Sequence, residues 1–502
     1  MTTDVLLAVD AGTSTIKAVA FGVDGTERAV AKRDVETHRP KPGHVEQDPN
    51  VVWNRTAAAL RDVTASLPAD ADPLGVSVTG QGDGLWAIDD DGNPAGNAAL
   101  WSDSRAAGIL EEWADEGRLD RIVEGCGSAP YPGMSLPILA WVAREEPDRF
   151  DRIDTVLSAK DWLKYKLTGE RTLDHTEATV PYLDKDTERY DPGVFEVVGL
   201  PGAASKLPRL AAPTAVIGEV TDATGVPAGV PVVSGVFDVP ASAIGSGAAT
   251  AGATAITLGT SLTHQTFING PQPETSGIQM SLGIDGRWTD AIGSNAGTPS
   301  LEWAAETIAD VADVGDLADL AAAAPPGSNG VVYHPYLSTS GERGPFVDPD
   351  ARGQFVGLTP EHGTEALVRA VYEGLSLAVR DCVEHLPGDP DEVVASGGGT
   401  RSELWCQLVA DCLDCPVSVP AGSEPGALGA AVLLAVALDE YPSLSAAVDR
   451  MVTTDRRYEP RPAVADQYAA LYDFFASARE GMESVWADRA DVYARSITGE
   501  RD

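Results

Sequence analysis

Long apolar runs are missing from this 502-residue chain. The longest, residues 427–438, is too short to span a bilayer and reads as a buried core helix. The N-terminus enters a strand at once, with no basic-then-apolar leader, so the expectation is a cytoplasmic protein. Basic residues are scarce: 36 lysines and arginines face 76 aspartates and glutamates, giving a net charge of −40. Such a charge repels nucleic acid and anionic membranes, which removes both as partners. The acidic residues are spread along the chain rather than gathered into a tail, against a disordered acidic segment. Their mutual repulsion calls for screening, and the expectation is a salt-filled cytoplasm. Cysteines number five, too few and too odd for a disulfide framework. Cys412 and Cys415 form a C-x-x-C without a second pair at zinc spacing, and they read as small buried hydrophobes. What remains is a globular chain, 43% hydrophobic, long enough for two or more domains.

The stretch that organises it is VLLAVDAGTSTIKAVAFGV, residues 5–23. Residues 5–9 form a sheet-type apolar run and residues 16–23 a second, so the segment between them must turn, as in a hairpin. That turn carries hydroxyls, backbone N–H groups and the bare Gly12, with Asp10 before it and Lys17 after. Polyphosphate with magnesium asks for this set: N–H and O–H donors, one cation and one carboxylate facing the metal. Residues 255–268 repeat the pattern, placing Gly259-Thr260-Ser261 between two apolar runs. Two such turns, half a chain apart, predict related lobes gripping one nucleotide. A Gly-Thr-Ser turn alone serves ordinary backbone needs equally well.

Along the chain, residues 51–67 read as a helix and residues 74–79 as a buried strand. That strand ends in Gly80-Gln81-Gly82-Asp83-Gly84, where glycines admit a ligand to the backbone and Asp83 accepts from hydroxyls. Trp101 offers a flat face to the carbon side of a polyol, and a core tryptophan reads the same way. Residues 110–124 and 135–146 read as amphipathic helices. Lys160 to Gly169 reads as a short helix closed by its glycine, with its lysines on a solvated face. Loop-rich sequence is expected from there to Pro231. Residues 232–233 then begin a buried strand that delivers Asp238 to the start of a small-residue helix. Chemistry in α/β proteins sits at such a carboxyl end, and Asp238 is the expected base, although a plain N-cap aspartate looks alike. Further on, residues 364–386 form a long helix, and Gly397-Gly398-Gly399 turns a strand into the helix 403–413. That turn lets a flat ring or phosphate lie on the backbone. No Walker A or GxGxxG pattern is present. Terminal helices follow from Tyr458.

In order and spacing, DAGTSTIKAVAF, ALWSDSRA, KDWLKYKLTGE, SGVFDVPASAIGSGA, ITLGTS, PYLSTSGERGPF, YEGLSLAVRD, SGGGTRSELWCQLVADCLDCPV and EPGALGAA resemble the FGGY carbohydrate kinases over nearly the whole chain. The resemblance implies an α/β protein of two RNase H-like domains of the actin/hexokinase/Hsp70 type, residues 1–247 and 248–502, with an active-site cleft between them. Each domain would hold a mixed five-stranded sheet. It further implies Mg-ATP (ATP and Mg2+ as cofactors) phosphorylating a sugar or polyol. Carried onto this chain, Asp10 and Asp238 fall at the metal, and Asp238 is the catalytic aspartate, ionised as an ordinary carboxylate. Gly12, Thr13, Ser14 and Lys17 match the first phosphate loop, and Gly259 and Thr260 the second. Gly397, Gly398 and Gly399 match the adenosine-side turn, with Ser402 a looser match. Gln81, Asp83, Trp101 and Asp238 fall to the substrate. Family xylulose kinases usually carry Met-His where Gly82-Asp83 stands, and glycerol kinases Arg-Glu. GQGDGLW is closer to the L-xylulose and erythritol branch. Gly82 is expected to make room for a larger linear substrate, so the expectation is a ketopentose such as xylulose, with erythritol or glycerol as the polyol alternative and a sugar-independent ATPase as the remoter one. Oligomeric state stays open, a homodimer included.

Overall fold

The computed structural model describes residues 3–221, 224–273 and 275–498. Its frame is a pair of twisted mixed sheets. In the first lobe, β1 (Thr3–Ala11) and β2 (Thr15–Gly22) form the expected hairpin, and β3 (Glu27–Asp34) extends it antiparallel. On the other side β1 pairs parallel with β4 (Ala71–Gly80), then come β5 (Val216–Glu219) at the edge and β6 (Pro231–Val233) inside it. The order is β5-β6-β4-β1-β2-β3. β1 and β4 are buried on both faces near their centres because helices cover both sides.

The second lobe repeats the plan. Strand β7 (Thr254–Leu258) and β8 (Leu262–Asn269) form the echo hairpin, with β10 (Arg287–Ser294) beside β8 and β9 (Ile278–Ser281) outside it. Parallel β11 (Val393–Ser396) and β12 (Val417–Pro420) follow, and antiparallel β13 (Thr454–Tyr458) closes the edge. The sheets therefore have six and seven strands rather than five. A shared five-strand core, β3-β2-β1-β4-β6 and β10-β8-β7-β11-β12, gains antiparallel edge strands whose short half-exposed sequences give weak period-2 signals.

Helix α1 (Pro49–Ser66) is capped by Asp48, which accepts from the Asn50 N–H. The stretch 110–124, expected as one helix, is two, α2 (Ala107–Asp115) and α3 (Arg118–Cys126). Gly117, at φ 67°, takes the left-handed conformation that separates them. Helix α4 (Ala159–Thr168) ends at Gly169 as expected, but Lys160 and Lys164 are fully buried, not solvated. Two carboxylates explain it: Lys160 pairs with Asp161 and Asp174, and Lys164 lies 2.5 Å from Asp161. The segment before Pro231, expected to be loop, contains α5 (His175–Tyr182), started by an Asp174 cap and too short to show a helical period.

Where the lobes meet, two helices are exchanged. Helix α6 (Asp238–Ser246) follows β6 of the first lobe yet packs on the second sheet, and α8 (Pro425–Ala437) follows β12 yet packs on β1 and β4. They cross at glycines. A Cβ on Gly245 would lie 1.9 Å from the Pro425 carbonyl oxygen, and one on Gly429 1.9 Å from that of Ala241. The apolar run 427–438 is thus a buried helix, as its composition requires, within a core drawing Leu6 and Val233 from one lobe and Ala255 and Phe267 from the other. Helix α7 (Thr364–Glu384) lies in the second-lobe core. All five cysteines are buried and unpaired, so the C-x-x-C is packing. Among the described residues no helix is long and apolar enough to cross a membrane.

Candidate active site

The first hairpin sets its charges by register. Asp10 is paired with Lys17 across β1 and β2, so the carboxylate and ammonium flank the turn on one face. Lys17 Nζ lies 3.7 Å from Asp10 and 2.7 Å from Glu424, which also holds Lys32 at 2.5 Å. Burial raises the Asp10 carboxyl, and Glu424 adds to the rise while Lys17 opposes it. Burial acts to lower Lys17, but Asp10 and Glu424 outweigh it and its ammonium is held above the ordinary value. Burial likewise acts against the Glu424 carboxylate, and the two lysines outweigh it.

The turn itself is braced by side chains. Thr13 Oγ donates to Gln81 Oε1 at 3.0 Å and accepts from Trp101 Nε1 at 3.1 Å. Gln81 donates to Gln47 at 2.9 Å, and Gln47 to the Thr13 carbonyl at 2.7 Å. Gln81 and Trp101, singled out for the substrate, are thus tied to the phosphate-type turn. Ser14 is exposed, and its carbonyl accepts from the Val35 N–H.

The second hairpin is braced by backbone. Gly259 accepts from the Thr298 N–H at 2.8 Å. Gly297 lies so close that a Cβ there would be 2.4 Å from the Thr260 carbonyl oxygen. After β11, Gly397 adopts φ 91° and, with Gly398, is exposed, whereas Gly399 is buried under Trp405. Ser402 caps the helix Glu403–Leu413 by accepting from the Trp405 N–H. A cavity of about 960 Å³ is lined by Asp10, Lys17, Thr257, Gly397, Gly398, Arg401 and Glu424 among others, whereas Gly12, Thr13, Ser14, Gly259, Thr260, Gly399 and Ser402 are not in its lining. Its size and mixed lining suit a nucleotide.

Asp83 and Asp238 stand outside that lining, with Asp238 near enough to Asp10 and Asp83 for the charges of both to act on it. Asp83 sits at φ 58°, a left-handed conformation rare for a residue with a side chain. Its N–H donates to Glu177 at 3.0 Å, and its carboxylate accepts from the Tyr131 hydroxyl at 2.6 Å. Burial pushes Asp83 up to about 6 against the pull of Tyr131. Burial also pushes Glu177 well up, with Lys160 opposing. Asp238 is the first residue of α6, and no side chain caps that helix, so it is not a simple N-cap. Burial pushes its carboxyl up to about 8, with the charges of Asp10 and then Asp83 adding to the rise. The ligand-free carboxyl therefore departs from the ordinary ionised aspartate expected of it. Gly82 does not widen the pocket: the volume a side chain would use is filled by the Phe237 ring, 2.5 Å from an added Cβ.

Behind both carboxyls lies the buried ion cluster of α4 and α5. Thr176 accepts from the Phe237 N–H at 3.3 Å, and Lys164 donates to Ser234 at 3.2 Å. Glu177 thus steadies Asp83 while its neighbours steady the turn that carries Asp238. Glu424, Lys32, Tyr131 and Glu177 were not legible as site residues. Their partners lie far off in sequence, and only the Glu-Pro at a helix start hinted at Glu424.

Two look-alike sheets, each presenting a strand–turn–strand hairpin to one cleft, define a two-domain α/β protein built to hold a nucleotide beside a small acceptor. The chain belongs to the FGGY family of carbohydrate kinases: the family's N-terminal domain matches residues 5–245 and its C-terminal domain residues 254–438. It is similar to an erythritol kinase of Brucella abortus, 34% identical over 96% of this chain and 97% of that one. It is also 32% identical to a xylulose kinase of Escherichia coli, over 87% of this chain and 91% of that one. A solved xylulose kinase of Lactobacillus acidophilus superposes with a TM-score of 0.90 at 25% identity, covering 97% and 99% of the two chains. The protein is a sugar or polyol kinase.

Proposed function

We propose that this kinase transfers the terminal phosphoryl group of ATP to a hydroxyl of a ketopentose such as xylulose. One observation carries the reading: Asp238, the first residue of α6, lies near enough to Asp10 of the first hairpin and to Asp83 for the charges of both to act on its carboxyl. In this reading the turn 12–14, Lys17, Gly259 and Thr260 hold the phosphates, and Gly397 to Gly399 with Ser402 shape the adenosine side. The acceptor is held by Asp83, with Trp101 as its apolar wall and Gln81 fixing the loop. Asp238 orients the attacking hydroxyl and takes its proton as the new O–P bond forms and the bond to the β-phosphate oxygen breaks, ADP leaving with the electron pair. Lys17 and the turn amides offset the charge that spreads over the transferred group. Closing of the lobes excludes water.

The donor chemistry at Asp10 and Asp238 fits Mg2+: burial raises both carboxyls, the charge of Asp10 adds to the rise at Asp238, and the two make a hard, oxygen-only pair. When bound there, Mg2+ would supply positive charge to the phosphates and relieve the repulsion between Asp10 and Asp238. We place the division between lobes at residues 247 and 248. We also read the charge of −40 as adaptation to a high-salt medium.

A coupled ADP assay over ketopentoses, tetritols and glycerol in molar KCl tests the function. ADP release that requires a ketopentose is expected, and acceptor-independent release would instead favour an ATPase. The similarity to an erythritol kinase supports a second reading, a tetritol kinase, which a preference for erythritol would establish.

A further inference from the structure

The acceptor end of the cleft is lined by carboxyls, yet one cation reaches it from the opposite lobe. The Arg343 guanidinium carbon lies 5.9 Å from the centroid of the Trp101 indole. Its charge also acts on the Tyr131 phenol, which burial and Asp83 push up and Arg343 pulls down. Tyr131 donates to Asp83, so the guanidinium stands beside the Asp83 loop.

The loop is built to present it. Glu342 is buried, and its carboxylate accepts from the backbone N–H of Asn295 and Arg343, both at 2.8 Å, and from the Ser294 hydroxyl at 3.1 Å. Gly293 leaves the side chain its space: a Cβ there would be 3.0 Å from Arg343 Nη2. Among the described residues this exposed guanidinium has no carboxylate in ion-pair range, in a chain with 76 acidic residues. A positioned fork of N–H donors over an aromatic face recognises ligand oxygens.

We propose that Arg343 is a specificity-determining residue supplied by the second lobe, donating to acceptor oxygens of a sugar seated on Trp101 and above all to a ketose carbonyl. This rests on the ketopentose reading above. The chemistry sorts the oxygens. Ionised Asp83 needs O–H donors and so takes hydroxyls, whereas Arg343 only donates and is best matched by an oxygen that only accepts. A pentitol, with a hydroxyl in place of the carbonyl, matches it less well. Since the donor comes from across the cleft, acceptor binding also draws the lobes together.

The test compares the full-length enzyme with Arg343→Ala and Arg343→Lys, on a ketopentose and on the pentitol made by reducing it. Arg343→Ala should raise the ketopentose KM about 10- to 100-fold, as loss of charge-assisted hydrogen bonds does, with the ATP KM within about twofold. The ketose-to-pentitol ratio of kcat/KM should fall toward one, and Arg343→Lys should recover only part of it because an ammonium lacks the fork. An unchanged acceptor KM and ratio, or an equal rise in the ATP KM, overturns the proposal. Should the unmodified enzyme prefer a tetritol, the ketopentose reading falls, and the carbonyl preference with it. A raised KM for that tetritol with ATP unaffected would still place Arg343 at the acceptor, and an unchanged one would remove it. Calorimetric binding of the acceptor without ATP, to variants that keep the native circular dichroism, reports the same contact without turnover, and an affinity that Arg343→Ala leaves unchanged overturns it.

Discussion

The two hairpins share a turn sequence but not a means of support. In the first, Gly12-Thr13-Ser14 is tied by Gln81, Gln47 and Trp101 and flanked by Asp10 and Lys17. In the second, Gly259-Thr260-Ser261 carries no flanking charge and is held by the Thr298 N–H and by the close approach of Gly297. The same strand–turn–strand plan is thus held by side chains on one side and by backbone on the other. A duplicated plan leaves each copy free to acquire different side chains, because the strand pairing that makes the turn does not depend on them.

The comparison can be broken most forcefully at the residue between the lobes. Asp238→Asn should lower kcat about 100- to 10,000-fold, the range of a lost general base, while ATP affinity stays within a few-fold. The unmodified enzyme should show kcat/KM rising with pH through about 8, the value at which the free carboxyl ionises. Stability should run the other way. The folded protein holds the Asp238 proton more tightly than the unfolded chain, whose value is 3.8. The stability this lends is complete below that value and lost as pH climbs through about 8. Asp238→Asn should therefore melt higher than the unmodified protein at alkaline pH, with the gap closing in acid. Scanning calorimetry across pH that found no such divergence would count against the buried charge.

Next in size is the contrast of charges. Lys17→Met should lower kcat about 100-fold or more, as removing a transition-state donor does, whereas Thr260→Ala in the second hairpin should cost about tenfold or less. Equal losses in steady-state kinetics would erase the distinction drawn between the hairpins. Backbone support predicts a stability effect in the second lobe: Gly297→Ala should destabilise by about 1–3 kcal/mol, as overpacking does, measured by urea unfolding. In the first, Gln81→Leu should cost about 1–3 kcal/mol by stranding the Gln47 amide, and should raise the KM for ATP as well as for sugar. An ATP KM left unchanged would return Gln81 to a substrate role alone. Smallest per residue but general, added KCl should raise the melting temperature by screening the net charge, and indifference to salt would remove the high-salt reading.

Much of the fold was legible because it is written in local periods. The apolar runs around Gly12 and Gly259, the glycine that closes α4, and the strand-to-helix turn at Gly397 each lie within a dozen residues. The misreadings came where a long-range partner changed a residue's meaning. Lys160 and Lys164 look solvated until Asp174 is brought beside them from another element. Gly82 looks like added room until Phe237 is found in the space. Asp238 looks like an ordinary carboxylate until Asp10 and Asp83 face it.

By itself, then, the sequence determined the two hairpins, the buried helix of the run 427–438, the acidic charge and the aspartate at the start of α6. These follow from side-chain periodicity and backbone freedom, which act over a few residues. Tertiary structure alone decided which charges compensate one another, Glu424 with Lys17 across almost the whole chain, and which cation lies over the Trp101 ring. Burial and Coulomb energies depend on distance in space, and distance along the chain carries no record of them.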